Sequence, residues 1–242
     1  MFFLEFKRVV RQAEDMSALS PTALLPRFGF GGHEFEVVGK TALYWPAQAA
    51  LIVADLHLEK ASWFATRGQM LPPYDSLATL QRLSALVTLT GAQQIWCLGD
   101  NFHDDDATNR LEPAAHALLA ALTAALDWRW IVGNHDSGLG GDIGGSIIDE
   151  AEVAGLILRH RACPNEMRPE LSGHFHPKFH GQSRGRRLSR PCFVMSQTRL
   201  ILPAFGAFTG GLAADHPEII AAVGPGAEAL VPTAKRLLRF AL

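Results

Sequence analysis

The sequence predicts an α/β protein built on packed sheets with helices outside. Short apolar runs rich in β-branched residues alternate with amphipathic helical segments in the first half of the chain, and strands dominate the second half. Several of these apolar runs end in residues that bind metals or move protons. Ligands of open α/β sheets bind at the carboxyl ends of the strands, so these two features together predict an α/β enzyme.

The individual elements follow from local patterns. Residues 35–38 and 42–45 predict a hairpin around Gly39 and Lys40, and residues 75–90 predict a helix because leucines recur at helical spacing and Gly91 follows. Pro113 suits the first turn of a second helix, residues 112–125. The remaining predicted strands are residues 50–54, 94–98, 128–132, 153–158, 193–195 and 200–202. We predict an N-terminal extension over residues 1–28, which lacks a clear pattern, and a single domain over residues 29–242.

Composition excludes two classes of protein. The chain has 242 residues, of which 48% are hydrophobic, and its formal net charge is -2. These values exclude a disordered chain and a uniformly basic nucleic-acid binder. Three cysteines without a paired motif, no secretory signal and no apolar run long enough to cross a bilayer predict a soluble, cytoplasmic protein. The oligomeric state is left open.

The net charge hides an uneven distribution. Residues 157–200 contain nine Lys or Arg and two Glu, a net charge of +7, so the rest of the chain carries -9. Within this stretch, Arg184, Arg186, Arg187 and Arg190 form a basic segment without an acid. A solvated loop and a contact for the phosphate backbone of a nucleic acid are both open interpretations.

Polar residues follow four of the predicted strands and a fifth short segment, residues 171–172. Each motif alone is weak, because Gly and Asp form turns and single histidines are common, but five such strand ends together predict a site. The residues are Asp55 and His57; Gly99 and Asp100; Asn134, His135 and Asp136; His160; and His174 and His176.

These residue types suit two metal ions. A dinuclear site needs a carboxylate that bridges the metals, and Asp100 is the best candidate. The remaining carboxylate, amide and histidine residues would complete the coordination of the two metals. Such oxygen and nitrogen ligands favour Mn, Fe or Zn. His135 is surplus to the ligands, so it is free to protonate a leaving group, with Asp136 holding its orientation.

The order of these motifs resembles the calcineurin-like metallophosphoesterase superfamily over about residues 35–205. The resemblance implies a four-layer α/β/β/α sandwich and His135 as the acid beside the scissile ester. It also implies two groups of metal ligands, namely Asp55, His57, Asp100 and His176, and Asp100, Asn134, His160 and His174.

Residues 42–46, 54–61 and 68–72 are similar to one branch of that superfamily, the bacterial ligase-associated DNA damage response endonucleases. This likeness implies a Mn-dependent phosphodiesterase that cuts DNA and is associated with an ATP-dependent DNA ligase and a helicase. Glu59 replaces the glycine more common in that branch. The second motif ends in His103 and Asp104 rather than His-Ser, and His103 is a candidate substrate contact, like Arg184, Arg186 and Arg187.

Our main hypothesis is a dinuclear phosphodiesterase acting on DNA, single-stranded or flapped, in a repair system. The alternative keeps the metals but changes the substrate to a nucleotide, a cyclic nucleotide or a phosphoprotein. A non-catalytic scaffold is the least favoured hypothesis, because the complete set of metal-binding residues and His135 are present. Trp63 and Phe64 follow the first motif, and we expect buried packing for them rather than a position in the cleft.

Overall fold

The computed structural model describes residues 25–136, 138–140, 143–183, 185–234 and 236–242. In these residues, the first sheet contains strands β1 to β7 in sequence order, and the second has the order β16-β15-β13-β14-β10-β9-β8. A separate hairpin pairs β11 with β12. The strands are β1 Arg27–Phe30, β2 His33–Val38, β3 Ala42–Trp45, β4 Ala50–Val53, β5 Gln94–Leu98, β6 Asp127–Ile131, β7 Ser146–Ile148, β8 Glu150–Val153, β9 Leu156–Arg159, β10 Glu170–Ser172, β11 Lys178–Ser183, β12 Arg186–Pro191, β13 Phe193–Met195, β14 Arg199–Ile201, β15 Glu228–Pro232 and β16 Leu237–Ala241.

The helices lie on the outer faces of the sheets. They are α1 Lys60–Ala65, α2 Asp75–Thr90, α3 Ala107–Arg110, α4 Pro113–Ala125 and α5 Pro217–Val223, and a short 3-10 helix spans Pro46–Gln48. Gly91 ends α2 in the left-handed conformation that glycine adopts without strain. None of the described helices is long and apolar enough to cross a membrane.

Three hydrophobic clusters separate four layers. Side chains alternate along β4, so Leu51 and Val53 pack with α2 and α4 on one face, whereas Ala50 and Ile52 pack against the second sheet. The third cluster joins the other face of the second sheet to α5, including Ile219. The layer order is therefore helices, sheet, sheet and helix, which confirms the predicted α/β/β/α sandwich.

Several segment boundaries differ from the predictions by one or two residues, and two differences change the description of the fold. The predicted strand over residues 153–158 is wrong, because β8 and β9 form an antiparallel hairpin there with Ala154 and Gly155 at positive φ in the turn. The sequence does not separate the two possibilities, because a tight hairpin and one longer apolar strand have similar amino-acid compositions. At the N-terminus, residues 1–24 lie outside the described residues, and β1 begins at Arg27 with Phe28 buried in the core, two residues before the boundary we predicted.

The parallel strands position the site. In the first sheet β4, β5 and β6 are parallel, and in the second sheet β9, β10 and β14 are parallel. Their carboxyl ends meet at a shared border, where Phe205, after β14, donates its backbone N–H to Ala54 O at 2.8 Å. The predicted site residues thus come together at the edge of two facing sheets rather than one.

Candidate metal centre

Backbone hydrogen bonds join the loops that carry the predicted ligands. His57 N donates to Asp100 O at 2.9 Å, which ties the loop after β4 to the loop after β5. In the second sheet, Gly173 N donates to His160 O at 2.9 Å. The two sheets are joined by His174 N, which donates to Asp55 Oδ1 at 3.0 Å. The loops therefore form one connected unit.

Five of the predicted ligands have a left-handed backbone. Non-glycine residues in this region are strained by about 1–3 kcal/mol each, and such strain concentrates at functional sites. The residues and their φ angles are Asp55 (54°), His57 (44°), Asp100 (48°), His174 (75°) and His176 (49°). This backbone turns each side chain sharply off the end of its strand into the space between the loops.

The first group of ligands combines both sheets. Asp55, His57, Asp100 and His176 each offer one ligand atom, and these atoms all lie within 4.8 Å of one another. His57 Nε2 lies 3.3 Å from His176 Nε2 and 3.8 Å from Asp100 Oδ2. His176 Nε2 lies 3.5 Å from Asp55 Oδ1.

The second group shares Asp100 with the first. Asp100, His160 and His174 form this group, and Asn134 adds an amide oxygen 3.0 Å from His160 Nε2. His160 Nε2 lies 3.1 Å from His174 Nδ1 and 3.4 Å from Asp100 Oδ1. The two oxygens of Asp100 therefore face different groups, so this carboxylate could bridge two metals.

These spacings fit metal ions. Ligands about 2.1 Å from a metal lie roughly 3.0 Å apart along the edges of an octahedron and roughly 3.4 Å apart in a tetrahedron. The six separations above run from 3.0 to 3.8 Å. Asp55 and Asp100 are almost fully buried, and buried carboxylates need a positive partner. Two divalent cations would supply that charge.

Hydrogen bonding and burial leave the histidine nitrogens free for a metal. His160 Nδ1 donates to Leu98 O at 2.9 Å, which leaves Nε2 as the nitrogen that would bind a metal, and Nε2 faces Asn134 Oδ1 and Asp100 Oδ1. Both oxygens are acceptors, so a cation among these atoms would be a partner for all three. Burial lowers the pKa of His57 and that of His174, which favours the neutral, metal-binding forms.

Two glycines allow the ligands to approach. A Cβ on Gly99, which has a φ of +80°, would overlap the ring of His160. A Cβ on Gly173 would lie 2.7 Å from Asp55 Oδ2. Any larger residue at these positions would displace a ligand.

Comparisons with known proteins agree with this geometry. The family profile of the calcineurin-like phosphoesterases matches residues 50–187, which is 138 of the 242 residues. The chain belongs to the calcineurin-like phosphoesterase family. The structure of Pseudomonas putida nuclease MPE is 31% identical in sequence with a TM-score of 0.68, covering 86% of this chain and 96% of the nuclease. A search of curated proteins found no match.

His135 lies beside the ligands of this phosphoesterase without joining either group. Its backbone N–H donates to Asp100 Oδ1 at 3.0 Å, and its ring Nδ1 donates to His103 O at 2.9 Å. The ring centroid is 5.2 Å from that of His57. Nδ1 is thereby committed to a carbonyl, and no hydrogen bond among the described residues engages Nε2.

The described contacts of Asp136 differ from the predicted ones, in which Asp136 orients His135. Its carboxylate accepts from the backbone N–H groups of Asn101, Phe102 and Gly133 at 2.9–3.1 Å and from the Asn101 side-chain amide at 2.9 Å. Burial raises its pKa, which these hydrogen bonds oppose. Asp136 thus holds the loops after β5 and β6 together, and the carbonyl of His103 orients His135 in its place.

The structure places His103 against both His57 and His135. Its Nδ1 lies 3.5 Å from His57 Nδ1, and its ring stacks on His135 with centroids 5.4 Å apart. Burial, followed by the charge of Lys60, lowers the pKa of His103 to about 4, so the ring is neutral at pH 7. It is only 8% exposed, so it supports His135 more than it reaches toward solvent.

The arginines that we predicted as substrate contacts belong to the hairpin that follows His176, the last of the predicted ligands. Arg186 and Arg187 are exposed on β12, and Arg184 lies outside the described residues. Strand β11 begins two residues after His176. The hairpin therefore follows the metal centre directly in sequence.

Residues around α1 contribute features that the sequence did not reveal. Lys60 lies near Asp100, and burial lowers the pKa of its ammonium group. Glu59 occupies a left-handed position (φ 63°), which explains why glycine suits it, and its carboxylate accepts from Ser76 Oγ at 2.7 Å. The adjacency of Lys60 to the first motif is the sequence signal that could have identified it. Trp63 and Phe64 are only partly buried, contrary to the expected core packing.

Proposed function

We propose that this phosphoesterase is a dinuclear metal-dependent phosphodiesterase that cleaves DNA. One observation supports this proposal most strongly. Two groups of Asp and His side chains share Asp100, and His135 lies beside them with no described hydrogen bond at Nε2. Bound metal ions would acidify a water for attack on phosphorus and neutralise the charge of the phosphate oxygens. Mn is the proposed metal, and Fe or Zn would also fit this donor set.

The protein residues divide the remaining work. Asp55, His57 and His176 would hold one metal, and Asn134, His160 and His174 the other, with Asp100 in both. His135 Nε2 would donate its proton to the leaving oxygen while Nδ1 stays bonded to His103 O. This assigns to Asp136 a loop-bracing function and to His103 a supporting one.

The shape of the basic hairpin favours a long polyanion as substrate. A six-residue strand rises about 3.3 Å per residue, so the tip at Arg186 lies roughly 17 Å beyond Lys178. This span is longer than a single nucleotide and suits a nucleic-acid strand. The similarity to a nuclease adds support for a nucleic acid.

The cellular setting is part of the proposal. The three unpaired cysteines suit the reducing cytoplasm. We propose that the enzyme acts on single-stranded or flapped DNA in a repair system with an ATP-dependent DNA ligase and a helicase, on the basis of the sequence likeness around the first motif.

A matrix of metals and substrates tests the activity. Mn, Fe, Zn and Ca are each combined with a phosphomonoester, an aryl phosphodiester and single-stranded DNA. We expect Mn-dependent cleavage of the diester and of DNA. Hydrolysis of the aryl diester with intact DNA would refute the DNA substrate and support the nucleotide or phosphoprotein alternative.

A variant tests the acid. His135→Ala should slow DNA cleavage about 100-fold or more, since a poor leaving group needs the proton, and should slow nitrophenolate release less. His116→Ala, an exposed histidine on α4, is the matched control. Equal losses on both leaving groups would contradict the assignment of His135.

A further inference from the structure

Aromatic side chains extend from the proposed acid to the surface of α1. His103 stacks on His135, and Phe64 is nearly parallel to His103 with centroids 6.2 Å apart and an interplanar angle of 18°. Trp63 meets His103 edge-on, with centroids 4.7 Å apart. Both Trp63 and Phe64 are partly exposed, so the series leads from the catalytic groups out to solvent.

A cation lies on the outer part of this series. The guanidinium carbon of Arg67 is 3.7 Å from the centroid of the Trp63 ring, and the Arg67 side chain is also held by Trp63 O at 3.3 Å. The described contacts of Arg67 include hydrogen bonds and this ring, without an acid. The guanidinium therefore lies over one face of the Trp63 ring, and such a pair offers a stacking surface to a base and a positive charge to a phosphate.

We propose that Trp63, Phe64 and Arg67 form a binding site for the nucleotide on the leaving-group side of the scissile bond. His135 protonates the leaving oxygen, so the leaving nucleotide lies on the His135 side, where these aromatic rings begin. Its base stacks at Trp63, and Arg67 contacts the following phosphate. This inference rests on the proposed DNA-cleaving function and specifies which part of the substrate α1 recognises.

The test uses oligonucleotides with one cleavable phosphodiester among phosphorothioate linkages, which resist cleavage and keep the negative charge that Arg67 contacts. One substrate has all its bases, a second is abasic directly on the leaving-group side, and a third is abasic on the opposite side. The Mn-loaded wild-type enzyme should show a roughly 10-fold higher KM for the second substrate, the loss expected when one stacked base is removed. The third substrate should not show this loss.

Variants then assign the effect to Trp63. Trp63→Ala should raise KM for the complete substrate roughly 10-fold and should lose the discrimination against the leaving-side abasic substrate. Trp63→Phe keeps an aromatic ring and should retain most of the discrimination. Met167→Ala, at a position 85% exposed on the loop before β10, controls for handling and folding, together with thermal melting of each variant.

The outcomes separate the two proposals. If the enzyme cuts DNA but Trp63→Ala still discriminates against the leaving-side abasic substrate, the stacking site is wrong and the nuclease function stands. If discrimination depends on the opposite nucleotide, the polarity is wrong. If no oligonucleotide is cut while an aryl diester is hydrolysed, the proposed function fails and the nucleotide site fails with it.

Discussion

Gly99→Ala would change the metal centre without removing any ligand. The added Cβ would lie 2.6 Å from His160 Cβ and would overlap ring atoms Cγ and Nδ1. Nδ1 is the atom that donates to Leu98 O, so the substitution would move the ring and break the bond that aims Nε2. We expect about 1–3 kcal/mol of destabilisation from this overlap and about 1–2 kcal/mol from the left-handed backbone.

A second glycine separates the two effects. Gly155 has the same φ of +80°, and a Cβ there would meet no atom within 4 Å. Gly155→Ala should therefore show the backbone cost alone. The difference in the free energy of unfolding between the variants measures the overlap with His160.

Calorimetric titration with Mn and urea unfolding of the metal-free protein provide the assay. Because supporting groups of metal ligands typically contribute 10–100-fold to affinity, Gly99→Ala should weaken one of two binding events by about that factor. Gly155→Ala should bind Mn like the wild type. If Gly99→Ala binds two metals with unchanged affinity and unfolds like Gly155→Ala, the proposed ligand role of His160 is wrong.

Three further predictions concern other parts of the molecule. Asp136→Asn should lower the free energy of unfolding by about 2 kcal/mol, because both carboxylate oxygens accept N–H groups and an amide supplies only one acceptor; unchanged urea unfolding would contradict the loop-bracing role. Combined Arg186→Ala and Arg187→Ala should weaken DNA binding and reduce the slope of log affinity against log salt by about 1.4, or 0.7 per lost phosphate contact; an unchanged slope would remove the hairpin from the DNA path. In metal-free protein, burial lowers the pKa of His57 and brings that of His103 to about 4. The unfolded chain therefore binds more protons than the folded protein between pH 6.5 and 4. The free energy of unfolding should fall as the pH falls through this range. Thermal melting across this range checks the trend, which His103→Gln should weaken, and a melting temperature that rises toward pH 4 would refute it.

The sequence predicted the parts of the fold that depend on local patterns. The helix over residues 75–90 and the strand over residues 94–98 have the predicted bounds, because helical spacing and a short buried apolar run are both local signals. The order of strands in the second sheet was not predictable in this way. Strand β14 lies between β13 and β10, and this order depends on contacts between residues distant in sequence.

The candidate site shows the same division. Residue types at strand ends were sufficient to select the side chains that the structure brings together in two groups, since carboxylate, amide and imidazole groups rarely follow five strands together. The function of Asp136 could not be read from the sequence, because its partners Asn101 and Phe102 lie more than 30 residues away. The same applies to His103, whose carbonyl orients His135, because motifs record side-chain types and not backbone partners.

The position of the site at the border of two sheets couples metal binding to packing. Asp55 and His57 follow a strand of the first sheet, and His176 follows one of the second, so one proposed metal would cross-link both. The apolar cluster between the sheets and the metals would then stabilise the same interface. A ligand that binds only the folded state adds RT ln(1 + [L]/Kd) to its stability. Removing the metals should therefore lower the free energy of unfolding of the sandwich as a whole.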